Sequence, residues 1–206
     1  PDDRLAYEHD YDNIFTKVAY KGFRLSGLYF TAEKDKFVSA CVLVQNTVRN
    51  MFVLPKPDAK LQDVHAEVNK LLQSSVLPRT SGASWAGKPV KRSYAFGDTN
   101  VPREPTTYLK VVYSAQFPAP NVDVCQNGGE HFSKILNAQA SPTETLLVKR
   151  GLKGPGWIRL TSPTPTKASL SWCATECAVD SPKHISVVPA TEERPAPPLV
   201  AVSLKI

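Results

Sequence analysis

Eighteen prolines in a chain of 206 residues constrain its fold more than any other feature of the sequence. Proline fixes φ at about −65° and has no backbone N–H to donate, so it interrupts helices and central strands. Glycine, which permits the widest range of turns, occurs 10 times. The proline content therefore argues against a helical bundle and favours short strands joined by rigid loops.

Composition narrows the class of protein further. Hydrophobic residues make up 42% of the chain and the formal net charge is +6, which does not fit a disordered tail. A chain of this length can bury one large core or two smaller ones. The sequence contains no run of about 18 apolar residues and no signal-peptide pattern, so we expect no membrane-spanning segment and a reducing intracellular compartment.

The positive charge is concentrated in particular stretches. Residues 1–20 hold five acidic and two basic side chains, so the remainder, with 23 basic and 14 acidic residues, has a net charge of +9. Residues 145–175 contain five basic residues and no acidic one, and residues 79–103 contain five and one. Such a field attracts polyanions such as nucleic acids, although an ordinary solvated basic surface has the same signature.

Apolar patterns from residue 36 onward predict two strands followed by a helix. The nearly continuous apolar run at residues 36–45 is typical of a central strand buried on both faces. A returning strand is expected at residues 51–54, and Asp58 is expected to cap the helix. The helix itself is predicted from one apolar face, formed by Leu61, Val64, Val68, Leu71 and Leu72.

Two more strands are predicted beyond this helix. A loop over residues 74–91 is expected to precede a strand at residues 92–96, and residues 107–114 alternate between two faces. These elements form a small α+β unit whose sheet can pack a helix on one side. Tyr94 and Phe96 have strand spacing, so they either stack bases, as aromatics on RNA-recognition sheets do, or pack beneath the sheet.

The second half of the chain is predicted to begin with two helices. Residues 129–138 place apolar side chains on one side of the first helix. The second helix begins with a capping box formed by Ser141 and Glu144, and Gly151 marks its end. Strand-like segments follow, and a proline-containing linker at 190–198 predicts a domain boundary; the segments are 157–160, 169–178 and 184–188.

Known catalytic motifs are missing from the sequence. The four histidines are scattered, and no nucleophile elbow, phosphate-binding glycine loop or His-Glu-x-x-His pattern occurs. Cys173 and Cys177 lack the second ligand pair that a structural zinc site needs, and His184 is isolated. Together with Cys41 and Cys125, these cysteines are predicted to be reduced thiols, and we expect neither a metal site nor a cofactor in this chain.

Several ordered segments resemble the N-terminal region of the catalytic subunit of eukaryotic DNA polymerase alpha, a family B polymerase. They are Lys-Pro-Val-Lys-Arg-Ser-Tyr-Ala-Phe at 88–96, Tyr-Leu-Lys-Val-Val-Tyr-Ser-Ala at 108–115, His-Phe-Ser at 131–133, Lys-Arg-Gly-Leu-Lys-Gly-Pro-Gly-Trp at 149–157, Val-Val at 187–188 and Pro-Pro-Leu at 197–199. The resemblance covers the chain from about residue 7 to residue 206, and the segment ending at Trp157 is the most specific.

The resemblance implies a fold and an organisation. It implies an α+β chain with mixed sheets and few short helices, comprising an OB-like β part and an RNA-recognition-like βαβ unit at residues 36–115. Residues 1–194 would then form the N-terminal domain of the polymerase. Residues 195–206 would be a linker and the first strand of an exonuclease-like domain, so the chain is expected to be a fragment of a longer protein.

The same resemblance implies an inactive exonuclease site. Exonuclease domains of this family place an Asp-x-Glu pair on that first strand to hold metal ions, whereas this chain has Ser203 and Lys205 at those positions. A hydroxyl and an ammonium group cannot replace two carboxylates as ligands of divalent cations. The fragment is therefore predicted to catalyse nothing.

The function implied is that of a DNA-directed DNA polymerase, a nucleotidyltransferase of the nucleus that extends RNA primers with DNA. The parent would use Mg²⁺ in its polymerase domain, act on a DNA template or RNA–DNA primer-template, and associate with primase and an accessory subunit. This domain would be a scaffold and template-strand guide; the alternative is a protein-interaction module that does not contact nucleic acid. The candidate phosphate-binding residues, with Tyr94 and Phe96 for base stacking, are Arg79, Lys88, Lys91, Arg92, Lys149, Arg150 and Lys153.

Overall fold

The computed structural model of the chain describes residues 4–8, 22–31, 36–77, 82–153, 156–166 and 171–192. These residues form an α+β fold with one mixed sheet, one antiparallel sheet and few helices, which confirms the predicted fold class. The strands are β1 (Arg4–Glu8), β2 (Gly22–Thr31), β3 (Lys36–Gln45), β4 (Val48–Pro55), β5 (Trp85–Arg92), β6 (Thr106–Ser114), β7 (Phe132–Leu136), β8 (Gly156–Leu160), β9 (Thr164–Pro165), β10 (Thr175–Val179) and β11 (Ile185–Val187). The α-helices are α1 (Leu61–Ser75), α2 (Val122–Asn127) and α3 (Pro142–Arg150), and short 3-10 helices span Pro182–His184 and Ala190–Glu192.

The chain divides into two compact units. One unit is Val48–Thr145, and the other combines Pro1–Thr47 with Leu146–Ile206. The predicted order of strand, strand, helix, strand, strand from residue 36 matches β3, β4, α1, β5 and β6. The predicted unit at residues 36–115 and the compact unit share residues 48–115, while β3 belongs to the sheet of the other unit.

Within Val48–Thr145 the elements follow the order β-α-β-β-α-β. Their four strands form an antiparallel sheet in the order β5-β6-β4-β7, so each helix connects strands that are not neighbours. This is the connectivity of the split β-α-β arrangement. The RNA-recognition-like and OB-like assignments stay predictions.

Helix α1 packs on one face of this four-stranded sheet. Its apolar residues Val64, Val68 and Leu72 have no exposed surface and lie in one cluster with buried residues of β4 and β6. Burying each such side chain contributes about 1.5–3 kcal/mol, which exceeds the intrinsic helix propensity of the segment. The predicted cap is wrong: the helix begins after Lys60, which makes no side-chain capping bond, and Asp58 lies two residues further out.

The helix predicted at residues 129–138 is wrong, because residues 132–136 form strand β7. Phe132 and Ile135 are three residues apart, which suits a helical face, yet both are buried against α1. The pairing of β4 with β7 shifts register between Leu54 and Pro55, and this irregularity allows both side chains to reach the same side. Residues that look helical by spacing are thus a bulged strand.

Strand β5 also lies away from its predicted position. It spans Trp85–Arg92, where a loop was expected, and the strand predicted at residues 92–96 is wrong apart from its first residue. Gly87 and Pro89 conceal the strand in the sequence, since both residue types are uncommon in strands. The edge position in the sheet explains the proline, because an edge strand has N–H groups that need no partner.

The other unit contains a seven-stranded sheet in the order β11-β8-β1-β2-β3-β10-β9. Strand β10 runs parallel to β3 and the remaining pairs are antiparallel. Consecutive residues 40–42 of β3 are all buried, which confirms a strand covered on both faces at this point. Buried residues of this unit form one core cluster: Val42, Val44, Leu146, Leu152, Ile158, Leu160, Cys177, Val179 and Ile185.

Helix α3 has the predicted capping box. The backbone N–H of Glu144 donates to Ser141 Oγ at 3.0 Å, and the N–H of Ser141 donates to Glu144 Oε2 at 2.7 Å. Gly151 ends the helix at φ +69°, a conformation that glycine adopts without a Cβ clash. Among the later strands, β8 and β11 confirm the predictions at 157–160 and 184–188. The strand predicted at 169–178 is found only from Thr175, as β10; it is wrong at residues 171–174, and residues 169–170 lie outside the described residues.

Candidate nucleic-acid interface

Three of the predicted site residues lie outside the described part of the chain. They are Arg79, a candidate phosphate contact, and Ser203 and Lys205, the degenerate exonuclease positions. Their roles stay predictions.

The three basic residues of β5 do not share a face. Lys88, Lys91 and Arg92 are all exposed. Because successive side chains of a strand alternate between faces, Lys88 and Arg92 lie on one side of the sheet and Lys91 on the other. The cross-strand partners agree, since Lys88 pairs with Lys110 and Lys91 with Thr107.

The face that contains Lys88 is the one opposite helix α1, and we call it the open face. It is defined by Phe52, Lys88, Val90, Tyr108 and Lys110, which the register places on the same side of β4, β5 and β6. Phe52, Val90 and Tyr108 belong to a small apolar cluster that contains no residue of α1. The rings of Phe52 and Tyr108 meet edge to face with centroids 6.5 Å apart.

Lys110 and Phe52 are functional candidates that the sequence analysis missed. In the sheet they form a row with Lys88, because Phe52 pairs with Lys110 and Lys110 with Lys88. The alternation of residues 107–114 contained the signal, since it placed Lys110 on the same face as Tyr108 and opposite Leu109. The pairing of three strands, which a single-strand pattern does not reveal, was needed to bring the three side chains together.

Tyr94 and Phe96 lie in the loop after β5 rather than in a strand. Their rings nevertheless meet, with centroids 5.5 Å apart and planes at 61°. Tyr94 packs against the apolar cluster on the open face, whereas Phe96 is 75% exposed. The pair was predicted either to pack on the sheet or to stack bases. Tyr94 packs on the sheet, whereas the exposed ring of Phe96 leaves base stacking open for that residue.

The segment at residues 93–105, which we call the cover segment, crosses one part of the open face. Val101 is buried in the cluster with Leu54 and Tyr108. Asp98 forms an ion pair with Lys134 of β7, and the Asn100 N–H donates to its other carboxylate oxygen at 2.9 Å. The hydrogen bond from Lys134, followed by that from Asn100, holds the pKa of Asp98 below its usual value.

Tyr108 has an unusual environment beneath the cover segment. Its side chain is 2% exposed, and its hydroxyl is buried without a hydrogen-bond partner. Desolvation by burial raises the pKa of Tyr108, with smaller contributions from Tyr94 and Glu104. A buried polar group without a partner costs about 1–3 kcal/mol, so this hydroxyl marks an incomplete part of the packing.

The basic residues around α3 belong to the other unit. Lys149 and Lys153 are exposed, whereas Arg150 is half-buried and its Nε donates to the carbonyl of Ile185 at 2.8 Å. Arg150 therefore ties the end of the helix to β11. This structural role uses part of the guanidinium that was predicted to bind phosphate.

Among the described residues, no group of three His, Cys, Asp or Glu side chains is arranged to hold a metal ion. The four cysteines form no disulfide; Cys41, Cys125 and Cys177 are buried and Cys173 is half-buried. In that same part of the chain, no helix has the length and apolar character needed to cross a membrane.

Comparison with protein-family profiles gives no match. Comparison with curated proteins gives DNA polymerase alpha catalytic subunits from distant organisms. The Xenopus laevis protein is 31% identical over 210 residues and the alignment covers 98% of this chain. The Oryza sativa subsp. japonica and Leishmania donovani proteins are each 32% identical, over 197 and 173 residues that cover 82% and 84% of the chain.

The chain spans a small part of these relatives, between 12% and 14% of their lengths. The similarity extends over nearly all of this chain in the Xenopus laevis comparison and includes both compact units. The chain therefore belongs to the family of DNA polymerase alpha catalytic subunits, of which it represents one segment.

Proposed function

We propose that this chain is the N-terminal, non-catalytic part of a DNA polymerase alpha catalytic subunit, where it acts as a scaffold and as a guide for the template strand. The observation that most supports the guiding role is the open face, where Lys88 and Lys110 lie beside Phe52. Single-stranded nucleic acids are bound by such combinations, because cations attract phosphates and aromatic rings stack on bases.

The parent protein, on this proposal, is a nuclear DNA-directed DNA polymerase that extends RNA primers with DNA during the initiation of replication. Its polymerase domain would use Mg²⁺, and the full-length subunit would associate with primase and an accessory subunit. The segment described here would contribute no catalytic group. Ser203 and Lys205 would leave the adjoining exonuclease-like domain without the carboxylates that metal-dependent hydrolysis requires.

Binding to the phosphate backbone makes a quantitative prediction. Each phosphate neutralised on a single strand contributes about −0.7 to the slope of log Kobs against log salt concentration. The 206-residue chain should therefore bind a fluorescein-labelled oligothymidylate with an affinity that falls steeply with salt, measured by fluorescence anisotropy. No binding at low salt would refute the guiding role for this chain.

The alternative is a protein-interaction module that packs on other polymerase domains without contacting nucleic acid. One observation favours it: Trp172 is fully exposed on a loop whose Ser171 N–H and hydroxyl both bond Glu176 Oε1. Exposed tryptophans are enriched among the residues that anchor protein–protein interfaces. Under this alternative, Trp172→Ala would weaken association with the remainder of the polymerase and leave oligonucleotide binding unchanged.

Charge reversal separates the two functions in the full-length enzyme. With Lys153→Glu, template guiding predicts weaker primer-template binding at an unchanged melting temperature. The interaction module predicts unchanged primer-template binding. Arg150 is left intact because its bond to Ile185 is structural.

A further inference from the structure

Two lysines, one on β5 and one on β6, lie side by side in an arrangement that a bound anion would stabilise. Lys88 and Lys110 are direct partners on the antiparallel ladder, where opposite Cβ atoms are about 5 Å apart. Like charges at such positions destabilise a sheet. Among the described residues, no carboxylate is paired with either lysine.

The neighbour of this lysine pair is aromatic. Phe52 lies beside Lys110 in the row, is half-buried, and is followed on β7 by Leu136. Its ring contacts Tyr108 edge to face. One row of the sheet therefore offers two cations and an aromatic surface at adjacent strand positions, which are about 4.8 Å apart.

A third lysine on the same face already has an anion. Lys134 of β7 pairs with Leu54, which places it on the side of the apolar cluster, and its ammonium group binds Asp98 of the cover segment. Lys134 lies three strands from Lys88 and two residues from the end of its row at Leu136, so the two positions are about 16 Å apart. The carboxylate of Asp98 therefore neutralises one end of a basic strip that crosses the sheet.

We propose that the open face is a binding site for single-stranded nucleic acid in which Lys88 and Lys110 bind phosphate, Phe52 stacks a base, and Asp98 of the cover segment occupies the position of a further phosphate on Lys134. The site rests on the proposed function and adds the residues that perform it. A nucleic-acid strand that reaches Lys134 displaces Asp98. Tyr94 and Val101 then move together with Asp98, because all three belong to the cover segment.

Two features of the cover segment support this exchange. Tyr108 keeps an unpartnered hydroxyl beneath it, so the closed arrangement leaves a buried polar group unsatisfied. The ring of Phe96 contacts that of Tyr94, and Phe96 is 75% exposed, so it offers a second ring for stacking. The cover segment is held on the sheet by one ion pair and by the apolar contacts of Tyr94 and Val101, so few side chains must move to release it.

The test uses a matched pair of lysines on one strand. Lys88 and Lys91 are both exposed residues of β5, but they lie on opposite faces. We expect the double variant Lys88→Ala with Lys110→Ala to bind oligothymidylate about tenfold more weakly and to lower the salt slope by about 1.4, corresponding to two phosphates. Lys91→Ala should change the affinity less than twofold. Equal losses from Lys88→Ala and Lys91→Ala would overturn the site.

A second test, at the cover segment, is expected to strengthen oligothymidylate binding rather than weaken it. Asp98→Asn should strengthen oligothymidylate binding several-fold, because Lys134 becomes available to phosphate. The control is Asp58→Asn, which removes the same charge from an exposed residue of the same unit that has no partner among the described residues. An effect of Asp98→Asn no greater than that of Asp58→Asn would refute the displacement of Asp98.

A crosslinking measurement on the wild-type chain tests the site without variants, in case a substitution prevents folding. Oligonucleotides containing 5-iodouracil, irradiated with the wild-type chain, should crosslink to the peptide containing Phe52. Crosslinks confined to other peptides would overturn the site even when binding is observed, and the general guiding role would then survive with different contacts. Absence of all binding would refute both the guiding role and the site, and would favour a protein partner for the open face.

Discussion

Replacing Glu67 with Gln is expected to loosen the loop that joins α2 to β7. Glu67 lies on α1, and its Oε1 accepts the N–H of Glu130 at 2.7 Å while its Oε2 accepts the N–H of His131 at 2.8 Å. The glutamine amide keeps one acceptor oxygen but turns an NH₂ donor toward the other N–H. One of the two hydrogen bonds between helix and loop is therefore lost.

The size of the effect follows from the number and type of bonds. A hydrogen bond to a charged group contributes about 1.5–3 kcal/mol, and the lower end applies here because Glu130 is exposed and water can reach its N–H. We expect Glu67→Gln to lower the free energy of unfolding by about 1.5 kcal/mol and Glu67→Ala by about 3 kcal/mol. A Cβ built on Gly129 would lie against Glu67 Oε1, so the loop is fitted closely to this carboxylate.

The assay combines urea unfolding of the 206-residue chain with amide hydrogen exchange. Exchange at Glu130 and His131 should accelerate in Glu67→Gln, because the N–H groups lose their acceptor, while the amides of α3 remain unchanged. Glu130→Gln is the matched control: it makes the same chemical change in the same loop, at a side chain with no described partner.

Two results would refute this reasoning. One is a loss of stability in Glu67→Gln no greater than in Glu130→Gln. The other is unchanged exchange at both loop amides, which would mean that the carboxylate does not hold them in solution.

Three further predictions concern the same chain, each measured by urea unfolding. Leu72→Ala should cost about 2–5 kcal/mol, because Leu72 is wholly buried between α1 and the sheet; a cost below 1 kcal/mol would contradict that packing. Ser141→Ala should cost about 1 kcal/mol through loss of the Glu144 N–H bond at α3, and a neutral effect would deny the capping box. Burial raises the pKa of Tyr113 to about 12, and its hydroxyl donates to the Pro118 carbonyl at 2.9 Å. The neutral phenol is thus favoured in the folded state, so its stabilisation is complete below about pH 10 and is lost as pH rises toward 12. Tyr113→Phe should remove that part of the pH dependence, and an identical pH profile would contradict it.

Local sequence patterns correctly predicted the elements that depend mainly on residues close in sequence. The apolar spacing of α1, the capping box of α3 and the continuous burial in β3 are such cases, and each is found in the structure. The wrong predictions occur where pairing with an element distant in sequence determines the secondary structure. Phe132 and Ile135 have helical spacing, but pairing with β4 makes them part of a bulged strand.

The candidate site divides in the same way. Charge and aromatic content around residues 79–103 predicted a nucleic-acid contact, and this prediction has not been tested. The candidates in that stretch were Arg79, Lys88, Lys91, Arg92, Tyr94 and Phe96. The sequence did not separate Lys88 from Lys91, because the face of each residue depends on where β5 begins and on its pairing with β6. It also did not identify Phe52, which is 36 residues from Lys88 in the chain and is brought into the same row through β6.

The sequence by itself determined the α+β class, the basic character and the family, because composition, short-range periodicity and similarity along the chain are properties of residues in order. The tertiary structure decided which side chains share a surface. Hydrogen bonding between strands sets their register, and a register shift of one residue transfers every side chain to the opposite face. The row of Phe52, Lys110 and Lys88 exists for that reason. Register also places Lys134 on the open face, where Asp98 of the cover segment pairs with it.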